Sequence, residues 1–187
     1  MRSFFRFILL ATLFLFISSG TLSAAPNYDP QNPIGVLFIG DPFFRMADFY
    51  KIVEEKLLER FPQLVVGEEI QSKYRKYYWD VKGLLKEADL PSRQELFAFL
   101  KTTPYRQVLV LVVSGPNAAS RYTFLWYFTL TQSQATMQIR ALLIDPTAQR
   151  VIADEEIVQK GPLSIHGDLS AKRGCFRLAM DYLVLRL

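Results

Sequence analysis

Two short apolar runs, Ile34 to Ile39 (IGVLFI) and Gln107 to Val113 (QVLVLVV), constrain the fold more than any other feature of the chain. A strand with one wet face alternates apolar and polar residues. A strand that is apolar at nearly every position has to be covered on both faces, as in a parallel sheet sandwiched by helices. Both runs end in turn chemistry, Gly40-Asp41-Pro42 after the first and Ser114-Gly115-Pro116 after the second. They read as buried strands, the second at the centre of a sheet.

The residues between the two runs keep helical spacing. Asp41 followed by Pro42 is a helix-start signal, and Phe49, Ile52, Val53, Leu57 and Phe61 recur at three and four opposite Lys51, Glu54, Glu55 and Glu59. Leu64-Val65-Val66 then predicts a second short strand ended by Gly67, so strand, helix and strand make a parallel crossover. From Ile70 a further apolar stripe runs through Tyr74, Tyr77, Val81, Leu84, Leu85 and Ala88 to the break at Leu90-Pro91. Ser92 and Glu95 next have the spacing of a capping box, which opens a helix continued by Leu96, Phe97, Phe99 and Leu100.

Beyond Pro116 the period changes to two. Tyr122, Phe124, Trp126, Phe128 and Leu130 fall on one face of a predicted long strand, and 136–144 and 150–158 repeat the alternation around an Asp145-Pro146 turn. The last segment is a helix with the stripe Phe176, Ala179, Met180, Leu183 and Leu187. The fold class expected is α/β: a single three-layer-like domain over 34–187. Its mixed sheet has two to three parallel strands followed by a three-strand antiparallel meander, with a carboxy-terminal helix.

Compartment follows from the amino-terminal residues. Arg2 and Arg6 precede an apolar run, Phe7 to Ile17, that is closer to the core of a secretory signal than to the about 20 residues a membrane span requires. Ser23, Ala24 and Ala25 supply a processing region. Residues 1–24 are therefore expected to be a signal peptide cleaved near 23–25, followed by a lead segment over 25–33; an uncleaved anchor is the other reading. Either places the domain outside the cytoplasm. The single cysteine, Cys175, excludes an internal disulfide, so stability has to come from a core, which a 50% apolar chain with fifteen Phe can build. The absence of Asn-x-Ser/Thr acceptors agrees with a bacterial periplasm. Arg2 and Arg6 account for two of the formal +4 charges, and the remaining about +2 gives no footprint for nucleic acid.

Few residues suggest chemistry. In an open α/β sheet a ligand lies beyond the carboxyl ends of the parallel strands, which selects Asp41 and Ser114; adding the lone His166 gives the residue types of a hydrolase. Against that, Ser114 lacks a G-x-S-x-G elbow, Asp41 suits a helix cap, and His166 sits in a Gly/Pro-bounded loop. One His and one Cys do not make a zinc set, and no glycine loop cradles a phosphate, so no metal and no cofactor is expected. Lys73, Arg75, Lys76 and Trp79 form the one basic and aromatic stretch fit for an interaction surface, toward an anionic membrane or a glycan. Cys175 reads as an inert buried thiol.

The element order, together with the opening Ile34-Gly35-Val36-Leu37-Phe38, resembles the amino-terminal α/β domain of TolB, and curli-secretion lipoproteins of the CsgG family are similar. The resemblance implies a non-enzymatic docking or assembly unit of the cell envelope with an envelope protein as partner, although the chain lacks a propeller and a lipid-modifiable cysteine near residue 25. It carries no individual functional residue over. Docking would use a sheet edge or the Lys73 to Trp79 surface, the meander's outer strand being the edge, where Glu155 and Glu156 would oppose indiscriminate pairing. A small exported hydrolase or ligand-binding enzyme using Asp41 and Ser114 is the alternative.

Overall fold

The computed structural model of the chain describes residues 32–40, 44, 46–82, 91–125 and 128–187. Five strands are found among them: β1 (Ile34–Gly40), β2 (Leu64–Val65), β3 (Gln107–Leu125), β4 (Phe128–Asp145) and β5 (Arg150–Lys160). They form one sheet in the order β2-β1-β3-β4-β5. The first three are parallel, with Ile34 opposite both Leu64 and Gln107, whereas β3, β4 and β5 are antiparallel. The fold class expected from the sequence is the one observed.

Four helices among the described residues cover the sheet: α1 (Ala47–Leu57), α2 (Glu68–Lys82), α3 (Arg93–Leu100) and α4 (Asp168–Arg186). Alternation along the strands creates two cores. Val36, Phe38, Leu109, Leu111, Ile139 and Leu143 face α1 and α4, packing on Phe49, Val53, Phe176 and Met180. Leu37, Ile39, Val108, Val110, Leu142 and Ile144 face the other way, against Ile70, Tyr74, Leu96 and Phe99 of α2 and α3. Each fully buried Leu, Ile or Phe here contributes about 1.5–3 kcal/mol, which makes the doubly covered β1 and β3 the thermodynamic centre of the domain.

Local signals explain most boundaries. Ser92 caps α3 as the sequence predicts: its Oγ accepts from the Glu95 amide at 3.3 Å while Glu95 Oε2 accepts from the Ser92 amide at 3.0 Å. The helix start proposed at Asp41-Pro42 lies outside the described residues, and the described helix begins at Ala47 with no side-chain cap. In α2 the buried stripe is Ile70, Gln71, Tyr74 and Tyr78, with Tyr77 only partly buried. Its continuation through Leu84 and Ala88 lies outside the described residues.

The strands divide differently from the sequence reading. Ser114-Gly115-Pro116 does not end β3; it forms a bulge, in which Gly115 and Pro116 oppose Met137 between the pairs Ser114–Gln138 and Asn117–Thr136. Gly115 takes φ +61°, open to glycine, and Pro116 has no amide to lose from the ladder. β3 is thus both the central parallel strand and the first strand of the meander. The predicted single strand over 122–131 is a hairpin instead: Tyr122 pairs Thr131, Phe124 pairs Thr129 and Leu125 pairs Phe128. Tyr122 and Phe124 therefore lie on the opposite face from Leu130.

Candidate interaction site: an open strand edge beside an apolar helix stripe

β5 closes one side of the sheet. Its inner side pairs with β4 from Asp145–Arg150 to Thr136–Lys160, and no strand among the described residues pairs with its outer side. About half of its eleven residues therefore turn their backbone donors and acceptors outward, the arrangement that accepts an added strand. The charges expected to guard this edge are engaged. Arg140 Nε and Nη2 donate to Asp154 at 2.7 and 2.6 Å, Glu156 accepts from Gln138, and Glu155 lies 3.7 Å from Arg186 of α4. The Arg140 hydrogen bond, partly offset by burial, holds the Asp154 carboxyl below the usual carboxylate range. Val158, 71% exposed, is an apolar contact point on the same strand.

α4 continues this surface. Ala171, Cys175, Phe176, Ala179, Met180 and Leu183 turn into the core, and three charged pairs tie the helix to α1: Arg173 with Asp48, Arg177 with Glu55 at 3.2 Å, and Asp181 with Lys56 at 2.5 Å. The outward face carries Leu178, Tyr182 and Leu185 at spacings of four and three, and they are 37%, 53% and 80% exposed. A solvated helix normally places charge there. The sequence contained this stripe but it was missed, because its residues interleave with a core stripe of the same composition.

The residues singled out for chemistry scatter. Asp41 lies outside the described residues, although β1 brings the preceding Gly40 opposite Val113, beside Ser114. Ser114 is exposed on the bulge, opposite Gln138 of β4. His166 is exposed in the loop that bridges β4 at Ser133–Ser164, its amide donating to Ser164 Oγ at 3.1 Å. Gln138 and Ser133 are five residues apart on β4, about 17 Å of strand, so Ser114 and His166 do not form a nucleophile and base pair. Among the described residues no His, Cys, Asp and Glu cluster could hold a metal ion. Lys73, Arg75 and Lys76 are exposed on α2, with Lys73 paired to Glu69 at 2.7 Å; Trp79 lies on the same helix.

A second exposed apolar feature sits at one end of the sheet. Eight pairs, Ala118–Ala135 to Leu125–Phe128, extend β3 and β4 beyond β1, whose last partner is Val113, and beyond β5, whose ladder stops at Thr136. The Ser133–Ser164 bridge supports the base of this arm, and Ser120 Oγ lies 3.5 Å from Asp168 at the start of α4. Past that point the arm is two strands wide, and Tyr122 and Phe124 are 69% and 84% exposed.

No helix among the described residues is long and apolar enough to cross a membrane. No protein-family model matches the sequence, and no curated protein matches it. Solved structures do. A PelC dodecamer from Paraburkholderia phytofirmans matches at 10% identity and a TM-score of 0.42, over 88% of this chain and 96% of that one. Lipoprotein GNA1162 from Neisseria meningitidis matches at 14% identity and a TM-score of 0.41, over 83% of this chain and 100% of that one. Likenesses this loose assign neither a family nor a role.

Proposed function

We propose that the chain is an exported cell-envelope protein that docks onto another envelope protein and serves its assembly, without catalysing a reaction itself. The open outer edge of β5 carries this reading, since the outward-facing backbone groups of an eleven-residue strand, beside the exposed Leu178, Tyr182 and Leu185, offer a partner both a ladder and an apolar seat. Ion pairs at Asp154 and Glu155 hold the guarding side chains in place and leave the edge accessible to a partner of matching charge. Lys73, Arg75, Lys76 and Trp79 on α2 make a second face, suited to an anionic headgroup or a glycan. The separation of Ser114 from His166 weighs against the hydrolase reading, and the element order expected of a TolB-like domain weighs toward docking.

Residues 1–24 are the proposed export signal. The intact mass of the protein recovered from cells, with its compartment, tests this part: a periplasmic chain shortened by cleavage near 23–25 is expected, and a full-length cytoplasmic protein would overturn it.

A further inference from the structure

We infer that the β3–β4 arm is a lipid anchor whose exposed Tyr122 and Phe124 rest in the interfacial layer of a membrane, and that the domain is peripherally membrane-bound through them. The inference is independent of the partner that β5 receives. Three observations favour lipid over a protein at this position. The first is charge: from Leu96 to Ile144 the chain has no Asp or Glu, and within the arm Arg121 is the one charged residue, placed below Tyr122 and Phe124 where a headgroup phosphate would meet it. Docking this segment at an anionic surface therefore desolvates no carboxylate.

The second is size. Tyr122 and Phe124 sit near the end of a ribbon two strands wide, and a stable protein interface takes about 20–30 residues a side, several times what such a tip presents. Lipid requires no complementary shape, only apolar area and a polar rim. The arm supplies both, with Thr129 and Thr131 opposite the two aromatic side chains and Ser120, Gln132 and Ser133 nearer the base.

The third observation limits the depth. The strand positions from Tyr122 to Leu125 extend about 12 Å, short of the about 25 Å apolar band of a barrel strand. Both edges of the ribbon are also unpaired there among the described residues, and unpaired backbone is not tolerated in hydrocarbon. Tyr and Phe at the headgroup boundary satisfy both limits.

The test uses the protein as recovered from the envelope and vesicles of phosphatidylethanolamine with phosphatidylglycerol. Thr129→Cys, beside Phe124 in the ladder, is labelled with an environment-sensitive dye, and Thr147→Cys at the far end of the sheet serves as the control; buried Cys175 stays unlabelled. The dye at position 129 is expected to shift to the blue on adding vesicles and the dye at 147 to stay unchanged. Phe124→Ser combined with Tyr122→Ser, both exposed and so neutral to folding, should weaken vesicle co-sedimentation by about tenfold or more. Unchanged emission at 129, or co-sedimentation unaffected by the double substitution, would overturn the inference. Arm substitutions that spare vesicle binding but abolish a protein crosslink would assign the arm to a protein and equally overturn it.

Discussion

Gln71 acts as a strand for Phe38. Its side-chain Oε1 accepts from the Phe38 amide at 3.0 Å and its Nε2 donates to the Phe38 carbonyl at 2.9 Å, with the amide fully buried. β2 pairs only with Ile34 and Gly35, so the outer side of β1 would otherwise be left with buried, unsatisfied backbone. One side chain from α2 completes what a two-residue strand leaves open. Gln71→Leu should therefore destabilise the domain by about 2–4 kcal/mol, two buried groups losing their partner, and Gln71→Glu by at least as much, since a carboxylate accepts but does not donate to the Phe38 carbonyl. Urea unfolding followed by circular dichroism measures both.

Gly40 is required where β1 passes β3. It adopts φ +111°, and a Cβ there would stand 2.1 Å from the Val113 carbonyl oxygen, a backbone atom that does not move aside. Gly40→Ala is expected to cost at least about 2 kcal/mol, the left-handed penalty plus the clash. A melting temperature within a degree of the parent would contradict this.

Cys175 should be silent to thiol reagents while the protein is folded. Burial pushes its thiol up to about 11 from an ordinary 9.0, and Sγ donates to the Gln159 carbonyl at 3.2 Å. At pH 8 a chromogenic disulfide is expected to titrate no thiol in the native protein and one after denaturation. The sign of the linkage follows: the folded state holds this proton more tightly than the unfolded one, so its contribution is complete below about pH 9 and is lost as pH rises toward about 11.

The Arg140–Asp154 pair has the opposite pH sense and a small size. Asp154 is held below its ordinary value, first by the Arg140 hydrogen bond, so its contribution is present above the usual carboxylate range and lost as pH falls through the lowered value. Both side chains are about two-fifths exposed, which keeps the pair at no more than about 1 kcal/mol. Asp154→Asn should change the unfolding midpoint little, and its effect should shrink further in about 1 M salt.

Some of this was legible in the residues. Ile34 to Ile39 and Gln107 to Val113 announce doubly covered strands because burial on both faces leaves no room for polar alternation, and the Ser92–Glu95 cap is a local motif that tertiary packing did not override. The hairpin between β3 and β4 was not legible, because residues 125–128 contain none of the Gly, Asn or Pro that mark a tight turn. Gly115-Pro116 misled in the other direction, since the same pair that ends a strand also makes a bulge. Of the candidate site, the outer position of β5 and its guarding glutamates could be read from the meander. The Leu178, Tyr182 and Leu185 stripe could not, as periodicity alone does not separate two apolar faces of one helix.

Docking at the β5 edge is tested most directly by placing a photo-crosslinking residue at Val158 on β5 and, separately, at Leu185 on α4, with Lys101, exposed just after α3, as the control. Irradiation of intact cells should give the same envelope protein as a discrete adduct from positions 158 and 185 and none from 101, and the adduct should disappear when Val158 is replaced by Pro in the Leu185 reporter. No adduct from either position, or an identical ladder from all three, would contradict the account.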